Sequence, residues 1–224
     1  MEQIILKNVT KTFKIPHEKG YGIKSAAINT LLRRKKYETL SVLKDINLTV
    51  KKGDFLGITG RNGAGKSTLL RIIAGIIKPT KGLVAVRGKI SPFLELGMGF
   101  QLELTAKENI YLYGTILGLK RRQIEEKFNN VIKFAELEKF IDTKLKNFSS
   151  GMVSRLAFSI AIQVDADILL VDEVLAVGDE AFKKKCFEVF KKFKKEKKTV
   201  ILVSHDKKIM KEFCDKIIYL DRKK

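Results

Sequence analysis

Proline, cysteine and long apolar runs are all scarce in this chain of 224 residues. Three prolines beside 45% hydrophobic residues argue against disorder, and the longest apolar stretches are too short to cross a bilayer. The two cysteines, Cys186 and Cys214, lack the spacing of a metal site or a redox pair, which suits a reducing cytoplasm. The first residues show no basic segment followed by an apolar core, so secretion is not expected. These absences favour a folded, soluble domain.

Acidic residues are also few, since 25 Asp and Glu stand against 45 Lys and Arg, a formal net charge of +20. Such a charge attracts any polyanion, whether nucleic acid, anionic lipid, an acidic polymer or a nucleotide, and alone it does not choose among them. Many lysines lie in residues 183–198 and 207–224, the first group interleaved with Phe182, Phe187, Phe190 and Phe193. Their spacing favours an amphipathic helix with buried phenylalanines over a stacking platform for bases.

The most informative stretch is the segment from Gly60 to Thr68, which matches the phosphate-binding pattern G-x-x-x-x-G-K-[ST]. It follows the apolar residues 55–58 and precedes a helical pattern over residues 69–73, so the required order of strand, loop and helix is present. Lys66 is expected to reach the β and γ phosphates of a nucleoside triphosphate, and the Ser67 hydroxyl to bind Mg²⁺. The candidate nucleotide-binding residues are Gly60, Arg61, Asn62, Gly63, Ala64, Gly65, Lys66, Ser67 and Thr68.

Two adjacent carboxylates, Asp172 and Glu173, follow the apolar residues 168–171. Asp172 is expected at the carboxyl end of a strand, where it can hold magnesium directly or through water. Glu173 would then act as the general base, or orient the attacking water, at the γ-phosphate. This pattern is weak alone, but it becomes strong about a hundred residues after a phosphate loop.

His205 follows another apolar strand, residues 200–203. If that strand lies beside the one that bears Asp172, His205 lies near the γ-phosphate, because ligands bind at the carboxyl edge of such sheets. The alternative is a structural histidine.

Similarly, Ser149 to Met152 precede a helix over residues 153–164, whose free N–H groups form a second possible anion site. That site would suit a triphosphate held by a neighbouring copy, whereas an ordinary Ser-capped helix is the simpler interpretation from these residues alone.

The remaining patterns predict three regions around the phosphate loop. Residues 2–9, 43–50 and 83–86 are expected to form a small antiparallel sheet. The two apolar strands before Asp172 and before His205 are separated by a helix over residues 180–193, which indicates a parallel sheet covered on both faces. Helical spacings dominate residues 102–165, which are expected to form a helical subdomain.

Residues 15–36 are expected to be an inserted segment, since Pro16 and two glycines interrupt the first strand. Within it, Ser25 can cap a short helix with one apolar face and a basic C-terminal end. Such a helix suits a membrane surface or a partner helix, and an ordinary surface helix is an equal alternative.

Taken in order, the phosphate loop, Gln101, Ser149 to Met152, Asp172 with Glu173, and Asp179 and His205 resemble the ATP-binding subunit of an ABC transporter over nearly the whole chain. Residues 94–105, 149–152 and 172–179 resemble, more narrowly, the bacterial exporters of O-antigen, other cell-surface polysaccharides or teichoic acids. The resemblance implies one α/β domain over residues 1–224, with a P-loop core, a parallel sheet, an antiparallel β subdomain and a helical subdomain.

The same resemblance implies a homodimer that binds two ATP with Mg²⁺. Each triphosphate would lie between the phosphate loop of one copy and the residues Ser149, Ser150, Gly151 and Met152 of the other. Gln101 would touch magnesium and water and relay nucleotide state to a membrane partner, and Asp179 would cross the dimer interface. An aromatic residue would stack on adenine, and the spacing favours Tyr37 over Phe13.

Further implications concern partners. We expect a separate transmembrane permease subunit and a lipid-linked polysaccharide as the transported substrate. The chain is expected at the cytoplasmic face of the inner membrane, as a peripheral subunit. No nucleic acid partner is expected. The alternatives are the ATPase of a drug exporter or importer, and a soluble ABC ATPase that acts on nucleic acid.

Two departures from the general family pattern qualify these expectations. Only Ser149 and Gly151 match the signature Leu-Ser-Gly-Gly-Gln, which allows slower hydrolysis than in importers. The chain ends at Lys224 without the carbohydrate-binding domain of some such exporters, so a short family member or a truncated one is expected.

Overall fold

The computed structural model describes residues 1–16, 37–93, 97–172 and 178–221. Its strands are β1 (Glu2–Pro16), β2 (Tyr37–Lys51), β3 (Phe55–Thr59), β4 (Lys81–Val86), β5 (Ile90–Phe93), β6 (Ile168–Asp172), β7 (Thr199–Val203) and β8 (Lys216–Tyr219). Its α-helices are α1 (Lys66–Ile73), α2 (Ala106–Ile116), α3 (Arg121–Ala135), α4 (Ser150–Ala161), α5 (Glu180–Lys195) and α6 (Lys207–Phe213). Two 3₁₀ turns, Glu138–Phe140 and Leu145–Asn147, connect α3 to α4.

Strands β1, β2 and β4 form an antiparallel sheet in the order β2-β1-β4, which confirms the predicted small sheet. Strand β2 begins at Tyr37, six residues earlier than the alternation from Leu43 predicted. The added residues pair with the end of β1 as a two-stranded ribbon, from Thr12 opposite Ser41 to Pro16 opposite Tyr37. Lys11 pairs with Leu43, so Val42 is a bulge without an opposite residue.

The second sheet has five parallel strands in the order β5-β6-β7-β3-β8. Every residue of β7 is buried, as expected for a central strand covered on both faces. Asp172 lies beside Val203, and Val203 lies beside Ile58, so three neighbouring strands end together at one edge. The predicted α/β fold and the predicted adjacency of β6 and β7 are therefore confirmed.

Alternate residues of β6 face the two halves of the core. Ile168 and Leu170 pack with α1 and the antiparallel sheet, whereas Leu169 and Val171 pack against the phenylalanines of α5. Phe182, Phe190 and Phe193 are buried in that second layer while most lysines of α5 are exposed or half-buried. The amphipathic interpretation of this helix is confirmed.

Helices α2, α3 and α4 pack on one another around a third apolar cluster that includes Ile110, Val131 and Leu156. Helix α2 begins with a capping box, in which the Thr105 hydroxyl accepts from the Glu108 N–H and the Glu108 carboxylate accepts from the Thr105 N–H. All three helices lie in the region predicted to be helical. Its assignment as a separate subdomain over residues 102–165 stays a prediction.

No helix in the described ranges combines the length and the apolar run that membrane crossing needs. Residues 17–36, 94–96, 173–177 and 222–224 lie outside the described residues. These include most of the predicted insertion at 15–36, with its short helix, and the candidate general base Glu173.

Candidate nucleotide-binding site

The phosphate loop connects β3 of the parallel sheet to α1. Two of its glycines are required by their surroundings. A Cβ on Gly60 would lie 2.2 Å from the Leu220 carbonyl oxygen, and one on Gly65 would lie 2.8 Å from Leu43 Cδ2. Gly65 also has a φ of 95°, in the left-handed region that side chains disfavour. The strand, loop and helix order predicted from the sequence is therefore held in place by tight packing.

Lys66 is the first residue of α1, and only 8% of its surface is exposed. Its ammonium group donates to the carbonyl oxygens of Gly60 at 2.9 Å and Arg61 at 3.2 Å. The cap position, Gly65, supplies no side-chain acceptor for the first N–H groups of the helix. A buried cation and uncapped N–H groups meet at this point, which suits an anion.

A cavity of about 570 Å³ opens at this helix end. It brings the phosphate loop together with Asp172, which lies at the end of β6, more than a hundred residues later in the chain. The lining residues are Val42, Asn62, Gly63, Gly65, Lys66, Ser67, Thr68 and Asp172. Val42 was not predicted, because its place here follows from the bulge in β2.

Ser67 and Asp172 offer a hydroxyl and a carboxylate oxygen to this cavity, and both are ligands that Mg²⁺ accepts. In the described part of the chain, no group of three or more His, Cys, Asp or Glu side chains could hold a metal ion by itself. Magnesium at phosphate sites uses one or two protein ligands together with phosphate oxygens. The donor set therefore fits magnesium bound with a triphosphate.

His205 lies two residues beyond β7 and lines a second cavity of about 620 Å³. That cavity shares Gly60 and Arg61 with the phosphate loop and extends between α6 and β8. His205 thus lies near the start of the phosphate loop but in a different cavity from Asp172, and its predicted position at the γ-phosphate stays a prediction. The next residue, Asp206, caps α6 by accepting from the N–H of Lys208 at 2.7 Å.

Gln101 and the four residues from Ser149 to Met152 do not line the cavity that contains Lys66. Gln101 is exposed and precedes α2. Ser149, Ser150, Gly151 and Met152 form the N-terminus of α4, where the Ser149 hydroxyl accepts from the Met152 N–H at 3.2 Å. Their contact with nucleotide in a second copy stays a prediction.

Asp179 is the cap of α5, where its carboxylate accepts from the Phe182 N–H at 2.9 Å. The same carboxylate pairs with Arg155 of α4. The Phe182 hydrogen bond, together with the Arg155 charge, lowers the pKa of Asp179 below its usual value. Its predicted role across a dimer interface stays a prediction.

Arg155 belongs to a cluster of charges that sequence reasoning missed. Its guanidinium also donates to Glu136 at 2.9 Å, and Glu136 accepts from Lys185 of α5. The Lys185 hydrogen bond is the main cause that lowers the pKa of Glu136. The cluster joins the end of α3 to α4 and α5, and no local pattern indicates it because its bonded pairs are 19 to 49 residues apart.

Two aromatic residues were candidates for stacking on adenine. Tyr37 is 52% exposed and pairs with Pro16 at the end of the ribbon, five residues from Val42. Phe13 is 39% exposed and pairs with Leu40, two residues from Val42.

Residues 43–176 match the ABC transporter family. The chain belongs to this family of ATP-binding domains, as the ordered motifs predicted. A solved structure with the same fold is the dimeric post-hydrolysis state of the ATP-binding cassette MJ0796 bound to ADP and Pi. It is 30% identical, with a TM-score of 0.75, and the match covers 97% of this chain and 94% of that one.

Several relatives of this ABC domain belong to export systems. The chain is 44% identical to the O-antigen export system ATP-binding protein RfbB of Klebsiella pneumoniae, over 99% of this chain and 91% of the relative. It is 39% identical to the teichoic acids export ATP-binding protein TagH of Staphylococcus haemolyticus, over 96% of this chain and 80% of the relative. A 42% identical RfbB of Myxococcus xanthus is longer, and this chain spans 52% of it.

Proposed function

We propose that this ABC domain hydrolyses ATP to power export of a lipid-linked polysaccharide through a separate transmembrane permease. It would act as a homodimer on the cytoplasmic face of the inner membrane. The observation that carries the ATPase assignment is the convergence of Lys66, Ser67 and Asp172 on one cavity at the carboxyl edge of the parallel sheet. The substrate class follows from the 44% identity to an O-antigen export subunit and the 39% identity to a teichoic acid export subunit.

The residues that line the cavity would bind different parts of a triphosphate and its metal ion. Lys66 would exchange the carbonyls of Gly60 and Arg61 for phosphate oxygens, and the N–H groups at the start of α1 would donate to the same phosphates. Ser67 and Asp172 would hold Mg²⁺. The metal, when bound, neutralises negative charge on the phosphates.

Hydrolysis needs a base and a precise arrangement of the attacking water. Glu173 immediately follows Asp172 and would accept the proton of that water. His205 and Gln101 would orient the γ-phosphate and the water from two other loops. Gln101 does not line the Lys66 cavity, and we expect the helical region to bring it toward the sheet when nucleotide binds.

The strand register bears on which aromatic residue stacks on adenine. Paired residues in antiparallel strands share a face, and successive residues alternate. Leu40, paired with Phe13, is two residues from Val42, whose Cγ1 approaches the phosphate-loop residue Gly65. Tyr37 is three residues from Leu40 and so lies on the opposite face. The spacing favoured Tyr37, but the register favours Phe13.

The open N-terminus of α4 supports the proposed dimer. Ser149 and Ser150 are exposed there, and their own chain does not place them against the phosphate loop. A second copy would supply the missing side of each nucleotide site. Glu173→Gln removes the base and should leave ATP bound between two copies.

Size-exclusion chromatography with light scattering tests this arrangement. Glu173→Gln should elute as a dimer with saturating Mg-ATP and as a monomer without it. Glu180→Gln makes the same chemical change at an exposed residue and should not trap a dimer. A Glu173→Gln protein that binds ATP but stays monomeric would contradict the mechanism.

The substrate class is tested by pairing this chain with a candidate transmembrane permease. Inverted vesicles containing both proteins should accumulate a radiolabelled lipid-linked polysaccharide in an ATP-dependent manner, whereas vesicles with Lys66→Ala should not. Transport of drugs but not glycan would favour a drug exporter, and neighbouring genes for a solute-binding protein would favour an importer. A gel shift on DNA at physiological salt would favour a nucleic-acid ATPase.

A further inference from the structure

Asn109 is a fully buried polar residue near the start of α2, with 0% of its surface exposed. Its carboxamide makes four hydrogen bonds, all to backbone groups of residues 101–105. Burying a carboxamide costs free energy unless its donors and its acceptor form hydrogen bonds. The surroundings of Asn109 supply these partners, so few other side chains would fit at this position. The segment that it binds contains Gln101.

Two of the four bonds go to Gln101 itself. The Oδ1 atom of Asn109 accepts from the Gln101 N–H at 2.8 Å, and Nδ2 donates to the Gln101 carbonyl at 3.0 Å. One planar group thus holds both backbone polar groups of Gln101. The Gln101 side chain remains exposed while its backbone is fixed against α2.

The same Nδ2 atom reaches the carbonyls of Leu104 at 3.2 Å and Thr105 at 2.9 Å. The Leu104 N–H also donates to the Gln101 carbonyl at 3.1 Å, which closes the turn. Asn109 therefore joins the two ends of the connection from Gln101 to α2. The helix and this connection are held as one unit.

Tyr113 lies one turn further along α2, on the same face as Asn109. Its ring contacts Phe100 edge to face, with centroids 4.9 Å apart, and its hydroxyl accepts from the Gly97 N–H at 3.4 Å. Residues immediately before Gln101 are thus bound by the same face of the helix. A movement of α2 must carry Gln101 with it.

We infer that Asn109 is a positioning residue that fixes Gln101 for ATP hydrolysis. The inference rests on the proposed role of Gln101 and goes beyond it by naming the residue that sets its position. Asn109 itself is buried away from the cavity that contains Lys66, so it acts through Gln101. The alternative is that Asn109 only stabilises the fold. The two hypotheses predict different values of kcat when an Asn109 variant is combined with a Gln101 variant.

The test is a double-variant cycle on the full chain with Asn109→Asp and Gln101→Ala. Asn109→Asp keeps the Oδ1 acceptor but removes both N–H donors. We expect kcat at saturating Mg-ATP to fall about tenfold or more, with KM for ATP changed less than about twofold, because misplaced catalytic groups mainly affect the chemical step. In the Gln101→Ala background, the same change should lower kcat less than about twofold, since the group to be positioned is already gone.

Ser159→Ala is the matched control, because Ser159 is also a fully buried polar residue, on α4, and its hydroxyl donates to the Arg155 carbonyl at 2.7 Å. It should lower the thermal midpoint and leave kcat near the wild-type value. If Asn109→Asp does not fold, Asn109→Ser replaces it in the cycle, since its smaller hydroxyl leaves room for water.

Multiplicative effects on kcat in the double variant, or an unchanged kcat in the folded Asn109 variant, would overturn the inference. Wild-type protein that fails to hydrolyse Mg-ATP, even with its permease, would overturn the proposed function and the inference with it. Failure of the wild-type protein thus contradicts the proposed function, whereas failure confined to the variants contradicts only the inference about Asn109.

Discussion

The N-termini of α1 and α4 both follow short loops rich in glycine or serine, but they differ in capping and in burial. At α1 the cap residue has no side chain, Gly60 and Gly65 are tightly packed, and Lys66 is buried against the loop carbonyls. At α4 the Ser149 hydroxyl already satisfies one helix N–H, and Ser149 and Ser150 are exposed. The start of α1 thus combines a buried cation, a helix end without a side-chain cap and a cavity within one chain, whereas the start of α4 is capped and exposed.

This difference separates binding from hydrolysis. A single copy should bind ATP with α1 alone, while hydrolysis should require α4 of a second copy. Variants at the two helix ends should therefore have different effects on ATP affinity and turnover.

The largest effect is expected from Lys66→Ala. Removing the buried ammonium takes away the charge that would face the β and γ phosphates, so ATP hydrolysis should fall about 10²-fold to 10³-fold, and calorimetry should show weaker ATP binding. Lys52→Ala, at an exposed position on the turn before β3, should change neither quantity. Normal turnover by a folded Lys66→Ala protein would remove the proposed site.

A second test concerns the tight packing at α1. Gly65→Ala forces a side chain into the left-handed region and against Leu43, so we expect a loss of about 2–4 kcal/mol in unfolding free energy and no measurable ATP binding. Gly118→Ala is the control, because Gly118 has a φ of 86° but open space around its Cα. Urea unfolding should show a smaller loss for that control, from backbone strain alone. Equal losses would mean that the packing against β2 contributes nothing.

The smallest effect on the fold is expected at α4. Ser149→Ala removes a cap worth about 1 kcal/mol, which should lower the thermal midpoint by about 2–4 °C for a domain of this size. Affinity of the monomer for ATP should not change, but hydrolysis should decrease. Calorimetry and a phosphate-release assay separate the two.

Ser149→Asp sharpens this test. A carboxylate caps the helix as well as serine does, so thermal stability should return. Its negative charge would repel a triphosphate from the other copy, so hydrolysis should remain low. If Ser149→Asp restored full turnover, α4 would have only a structural role.

Local features of the sequence were enough to predict the centre of the fold. The phosphate loop fixes its own strand, loop and helix, and the apolar runs before Asp172 and Ser204 identify the neighbouring strands. Strands β5 and β8 were not predicted, because each has four residues at an edge of the sheet and shows no clear alternation. The start of β2 was placed too late, since its first residues are strand only through pairing with β1.

For the candidate site, too, the sequence predicted some of the residues and missed others. Lys66, Ser67 and Asp172 were found because motif and strand position determine where they lie. Val42, Arg155 and Asn109 were missed, because a bulge, a long-range ion pair and a buried carboxamide depend on which segments meet in three dimensions. Sequence patterns identify residues within a motif more readily than residues that meet the motif only in the folded chain.

The close approach of Leu220 to Gly60 has a mechanical consequence. The Leu220 N–H donates to the Thr59 carbonyl at 2.7 Å, and its own carbonyl occupies the space that a side chain on Gly60 would need. The last strand is thereby attached to the peptide from which the phosphate loop departs. A force applied to the chain just after Leu220 would therefore be transmitted directly to the start of that loop.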